Sequence, residues 1–327
     1  MLDFYQQLAQ AIQQNPVVLA TVTSIKGSVP REVGAKMIVR ADRSIVGTIG
    51  GGAGEAKVIQ KAIEVLETGE KQLLEIDLSG ATHRETQGVC GGTMQVWLER
   101  WTSANLSLLN QIIEILSAGN SATLVTPFVR EMPIHLQTTQ DEKNPILSFR
   151  EVLLPPPTLL IIGAGHVAIP LAQIAHLAGF QIIVQDDRSE FAIEARFPQA
   201  STIIPFPITD NYPLPTENLY AALVTRGIQH DLAALRILLK QKTQYIGTIG
   251  SLKRVRLVKQ QLVREGYPET IIEKIYAPIG LDIGALTPEE IAVSICAELI
   301  KVRRGGTGQS LSLFCSEDFS PRCRYED

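Results

Sequence analysis

The sharpest concentration of chemistry in this chain is Gly163-Ala164-Gly165-His166-Val167-Ala168, which follows the apolar run Leu159-Leu160-Ile161-Ile162. A strand feeding G-x-G-x-x-A and then a helix is the pattern of a phosphate-binding turn. Gly163 permits the tight turn, Gly165 lets backbone N–H groups approach a phosphate, and Ala168 allows close packing of helix on strand. A second apolar run, Gln181 to Gln185, ends in Asp186-Asp187-Arg188, about 20 residues after the turn, where an acid would meet a ribose hydroxyl of a dinucleotide. Arg188 beside the acids leaves open a ligand with an additional phosphate, and a crevice that binds one phosphate group or none is the competing reading.

Two further segments fall where strands should end. Val224-Thr225-Arg226-Gly227 follows an apolar run, so Thr225 and Arg226 are placed to hold a phosphate or a pterin-like ring. Asp231 reads as a helix cap, and His230 as a surface residue or a proton carrier. Gly250-Ser251 closes the run Tyr245 to Ile249 and opens a helix with Lys253, Arg254 and Arg256. Cations at a helix N-terminus oppose the dipole, so the pattern reads as an anion site or as a solvated charged face.

Earlier in the chain, Gly50-Gly51-Gly52 lies between a short apolar run and a helical pattern, with Glu55 on the first turn, which predicts a second anion-accepting turn. Cys90-Gly91-Gly92 sits in a polar loop predicted from Ser79 to Gly92, which also holds His83 and Arg84. Its thiol reads as inert packing or as a group presented closely to a ligand. No H-x-x-x-H, C-x-x-C, G-x-S-x-G or P-loop pattern occurs, so neither a metal site nor a catalytic set is predicted.

These residues need elements to position them. The spacing predicts a first helix from Leu2 to Gln14, strands at 17–25, 36–40, 45–49, 73–78 and 94–98, a helix from Ala53 to Thr68, then a helix at 106–117 and a strand at 122–126. Strand and helix patterns alternate from Leu159 to Ile300, which predicts a parallel sheet with helices on both faces. The expected fold class is α/β: a mixed α/β N-terminal domain over 1–105, a connector over 106–157, a Rossmann-like doubly wound domain over 158–304, and a loosely ordered tail over 305–327.

The chain has 327 residues, enough for about two domains. Hydrophobic residues make up 45% and the mean hydropathy is +0.11, ample for two cores. A formal charge of −4 and a pI near 5.8 exclude a general nucleic-acid binder. The run Leu159 to Phe180 is long enough to cross a bilayer, but its glycines, Pro170 and His176 argue for strand, turn and helix instead. With no basic or apolar leader at Met1 and four scattered cysteines, the expected setting is the cytoplasm.

The combination of Gly27-Ser28-Val29-Pro30-Arg31, Gly34-Ala35-Lys36-Met37, the glycine turn with Glu55, Cys90-Gly91-Gly92, the Gly163 string, Asp186-Asp187-Arg188, Ala277 to Gly284 and Thr287 to Ala292 resembles the xanthine dehydrogenase accessory proteins, the XdhC/CoxI family. The resemblance spans about Val17 to Arg304. It implies a cytoplasmic carrier, without turnover of its own, that binds molybdenum cofactor, shelters it during sulfuration and hands it to the apo-enzyme of a molybdenum hydroxylase. It further implies a homodimer and a cysteine desulfurase as sulfur donor. On this reading Cys90 lies toward the molybdenum or dithiolene end of the cofactor, while Gly163, Gly165 and Arg188 serve the phosphate or nucleotide end. Two positions depart from the pattern: Ala53 stands where relatives commonly carry cysteine, and Ile228 where they often carry histidine. An NAD(P)-dependent oxidoreductase built on the Gly163 turn is the alternative, and a ligand-free scaffold a third.

Overall fold

The computed structural model describes residues 1–79, 89–129, 131–138, 147–209, 213–215 and 217–312, with the side chains of 79, 89 and 90 outside the description. The predicted loop residues His83 and Arg84, and the tail beyond 312, lie outside the described residues. The chain divides into two compact units, one through Leu153 and one from Leu154.

The first unit opens with α1 (Leu2–Gln14), followed by β1 (Val17–Lys26), β2 (Lys36–Val39), β3 (Ile45–Gly47), α2 (Gly52–Thr68), β4 (Gln72–Ser79) and β5 (Val89–Trp101). The strands form an antiparallel sheet in the order β3-β2-β1-β5-β4. Alternation along β1 divides the core. Val18, Ala20 and Val22 pack with Val58, Ala62 and Val65 of α2, while Val17 and Leu19 face Tyr5, Leu8 and Ile12 of α1.

Within the span 106–157, predicted as a connector, the helix at 106–117 and the strand at 122–126 are present as predicted, and two further strands follow them. These elements are α3 (Leu106–Ser117), β6 (Ala122–Pro127), β7 (His135–Leu136) and β8 (Ser148–Leu153), the strands pairing antiparallel in the order β7-β6-β8. Leu109, Ile112, Leu116, Leu124 and Leu153 share one core with α1. A buried ion pair, Lys36 with Glu151, joins the two sheets, and Lys71, which reaches Glu99 of β5 at 2.8 Å, also donates to the Met132 carbonyl at 2.7 Å.

The second unit contains β9 (Thr158–Ile162), α4 (Ala168–Leu177), β10 (Gln181–Gln185), β11 (Ala200–Ile204), β12 (Leu219–Leu223), α5 (Ile228–Leu238), β13 (Thr243–Thr248), α6 (Leu252–Arg264), α7 (Glu269–Ile272) and α8 (Pro288–Arg304). Its sheet is parallel throughout, in the order β11-β10-β9-β12-β13. Leu159 and Ile161 pack with α4 and α8 on one face, and Leu160 and Ile162 with α5 and α6 on the other. The doubly wound α/β architecture is therefore present as the alternation predicted. Thr287 and Glu290 form a capping box at the start of α8, with Pro288 in its first turn, so the Thr-Pro-Glu-Glu string is a helix start signal. Among the described residues, no helix is long and apolar enough to cross a membrane.

Candidate functional site

In the second unit the chain leaves β9 toward β10 on one side, and β12 takes its place on the other side of β9. The crevice beyond the carboxyl ends of β9 and β12 is the topological switch point where open α/β sheets bind ligands. A cavity of about 570 Å³ occupies it, lined among others by Gly165, His166, Asp187, Thr225, Arg226 and His230. That size suits a small organic ligand.

Gly163 holds φ at +101°, and a Cβ there would lie 2.7 Å from the Val224 carbonyl oxygen, so the turn and the exit of β12 require glycine together. A Cβ on Gly165 would meet nothing within 4 Å, which leaves an open face beside α4. The N-terminus of α4 has no side-chain cap, and His166 is exposed. These features fit an anion against the helix amides.

Asp186 stands at the end of β10 as predicted, but it is buried and its carboxylate is already engaged. One oxygen accepts from the Arg188 amide (2.9 Å) and Nε (2.8 Å). The other accepts from the Ala164 amide (2.7 Å) and Arg188 Nη2 (2.8 Å). Four donors fill the four lone-pair sites of an ionised carboxylate, so none is free for a ribose diol. Burial alone would raise this carboxyl, but the Arg188 guanidinium and the two amides outweigh it and hold it far below the usual range. Arg188 in turn lies over the Phe191 ring at 3.8 Å. Asp186 and Arg188 thus form a clamp that fixes the glycine turn.

Thr225 is also turned inward. Its hydroxyl meets Asp231 Oδ1 at 2.6 Å and accepts from Arg254 Nη2 at 2.8 Å, while Arg254 Nε donates to Asp231 Oδ2 at 2.7 Å. Asp231 is fully buried, and desolvation raises its carboxyl despite Thr225 and Arg254. The helix cap predicted at Asp231 is instead a buried tie between α5 and α6. Arg254 is drawn into that tie, leaving Lys253 and Arg256 exposed, and Ser251 caps α6 by accepting from the Arg254 amide. The positions Gly250 and Ser251, predicted as an anion site, serve the start of α6 in this structure.

Arg226 differs, being exposed at the cavity mouth. Its Nη2 donates to both oxygens of Asp187 (3.2 and 2.9 Å) and its Nε donates to His230 Nε2 (3.1 Å). Asp187 was not among the predicted binding residues, because its place beside Asp186 gave no sign that it would reach another strand's end.

In the first unit, Glu55 fills the glycine turn. Its Oε2 accepts from Thr48 Oγ1 (2.5 Å) and from the amides of Ile49 (3.1 Å) and Gly51 (3.2 Å). The predicted anion-accepting turn Gly50-Gly51-Gly52 therefore holds a carboxylate of its own, while Gly51 and Gly52 remain exposed. Cys90, Gly91 and Gly92 belong to β5 rather than to the predicted loop. A Cβ on Gly92 would lie 2.5 Å from the carbonyl oxygens of Lys26 and Ser28, so β5 passes directly against the turn after β1. Pro30 of that turn packs on Gly50. Three segments distant in sequence thus converge at one end of the antiparallel sheet.

A family model for the XdhC Rossmann domain matches residues 159–299, and one for the XdhC and CoxI family matches residues 11–77. This chain belongs to the XdhC and CoxI family. Its relatives include the Escherichia coli protein YqeB, 29% identical over 314 residues that cover 94% of this chain but 47% of YqeB, so the chain spans about half the length of that relative. A Bacillus subtilis protein named as a probable subunit of xanthine dehydrogenase is 28% identical, over 93% of this chain and 98% of its own length. The molybdenum cofactor insertion chaperone PaoD of Escherichia coli is 24% identical over 88% of this chain and 83% of PaoD. A crystal structure described as a xanthine dehydrogenase from Bacillus halodurans superimposes with a TM-score of 0.76 at 27% identity, over 95% of this chain and 99% of the other. The XdhC Rossmann match begins at Leu159, in β9, and so includes the whole Gly163 turn and the crevice.

Proposed function

We propose that this chain is an accessory protein that binds molybdenum cofactor as cargo and delivers it to the apo-enzyme of a molybdenum hydroxylase of the xanthine dehydrogenase type. The observation that carries the reading is its similarity, over 88% of its length, to the cofactor insertion chaperone PaoD, beside a relative named for xanthine dehydrogenase. The crevice supports it chemically. A phosphorylated pterin needs amides for its phosphate and a cation beside it, and the open face at Gly165, the uncapped start of α4 and the exposed Arg226 offer both.

In this reading Gly163, Gly165 and His166 receive the phosphate through the backbone, with Arg226 opposite, while Asp186, Arg188 and Thr225 hold the walls. In the first unit, Cys90 is proposed as a thiol needed for retention of the cargo. The family resemblance further supports a cytoplasmic homodimer working with a cysteine desulfurase. The saturated Asp186 carboxylate speaks against a ribose-gripping NAD(P) site.

The test is reconstitution. Molybdenum-cofactor-loaded chain is mixed anaerobically with apo-xanthine dehydrogenase, and hydroxylase activity is followed against free cofactor. Activation that is faster with the chain, and reduced by Cys90→Ser, supports the reading. No gain over free cofactor, together with NADH binding and turnover of a carbonyl compound, would move it to an oxidoreductase.

A further inference from the structure

Asp187 follows β10 and Arg226 follows β12, the strands on either side of β9 and its glycine turn. Their ion pair therefore runs from one wall of the crevice to the other, above the turn. Both residues line the cavity, and their side chains are 35% and 47% exposed, so solvent and ligand reach the pair. Arg226 is also held by His230, whose Nε2 accepts the Nε proton, while Nη2 serves Asp187.

We propose that Asp187 is an internal stand-in for the ligand's phosphate: it holds Arg226 across the crevice mouth until an incoming phosphate monoester takes the guanidinium and displaces the carboxylate. The proposal rests on the cargo reading for the identity of the ligand, but not for the exchange. Carboxylate and phosphate are both oxyanions that a guanidinium grips by paired N–H groups, so one can replace the other without rebuilding the cation's surroundings. An exposed pair of this kind is weak, so a dianionic phosphate next to helix amides displaces it readily. Asp187 thereby lowers the affinity for small anions and keeps Arg226 ordered in the empty crevice.

The test measures equilibrium binding of two probes to the full chain: molybdenum cofactor, anaerobically, and inorganic phosphate. Wild type is compared with Asp187→Asn, Arg226→Gln and the double variant, with thermal unfolding as a check that these surface changes leave the fold intact. The proposal expects Asp187→Asn to tighten both probes about two- to fivefold, the range set by the strength of an exposed ion pair. It expects Arg226→Gln to weaken them at least tenfold and to abolish the gain from Asp187→Asn. Binding unchanged in Asp187→Asn, an equal gain with and without Arg226, or no binding of either probe would overturn it. Phosphate following the pattern while cofactor fails to bind would keep the exchange and sink the cargo reading. Cofactor bound at one per chain but indifferent to all three variants would do the reverse.

Discussion

Asp186 carries the most consequence of any single residue in the crevice. Its carboxyl is held far down in the folded state, against a value near 3.8 when free, so the folded state binds its proton less tightly than the unfolded state. The stabilisation is therefore present above about pH 4 and is lost as the pH falls below it. Asp186→Asn should cost roughly 2–3 kcal/mol at pH 7, because it removes charge-assisted bonds from a buried group. Melting temperatures from pH 6 to 2.5 should then fall less steeply in the variant than in wild type. Gly163→Ala combines a positive φ with a Cβ at 2.7 Å from the Val224 carbonyl. We expect a loss of about 2–4 kcal/mol by denaturant unfolding and a crevice too distorted to bind.

Among elements, β5 gives the clearest prediction. Gly92→Ala should push β5 from the turn after β1 and cost roughly 2 kcal/mol, read by faster amide exchange at Lys26 and Thr93, while Gly91→Ala, whose Cβ would meet nothing within 4 Å, should leave β5 in place and cost about 1 kcal/mol through backbone strain at its φ of +69°. How far each element was legible follows from how local its signal is. The β9–α4 junction could be read from the sequence because an apolar run, two glycines and a helix pattern are contiguous. The strand character of Cys90 to Gly92 could not, since paired glycines read as a loop unless one knows which carbonyls pass beside them. β6 could be read from its contiguous run at 122–126, but β7 and β8 could not, because they are two and six residues long and acquire their pattern only by pairing with β6 and packing on its core. Site residues divide in the same way. Gly163 and Gly165 take the places their local pattern predicts, whereas the clamp on Asp186, the carboxylate of Glu55 in its turn and the reach of Asp187 to Arg226 are contacts between segments, which spacing alone does not reveal.

On the scale of the molecule, each unit has its own pair of cores, one on either face of its sheet. Residues 154–312 expressed alone should therefore unfold in one cooperative transition and retain the circular dichroism of a parallel α/β sheet. A non-cooperative melt would show that the first unit is needed to complete that fold. Carriage of molybdenum cofactor by the whole chain is read by anaerobic gel filtration at saturating cofactor, with molybdenum and pterin counted in the protein fraction. Close to one cofactor should be retained per chain, with a large loss in Arg226→Gln and in Cys90→Ser. Protein fractions free of molybdenum and pterin at saturating cofactor would contradict it.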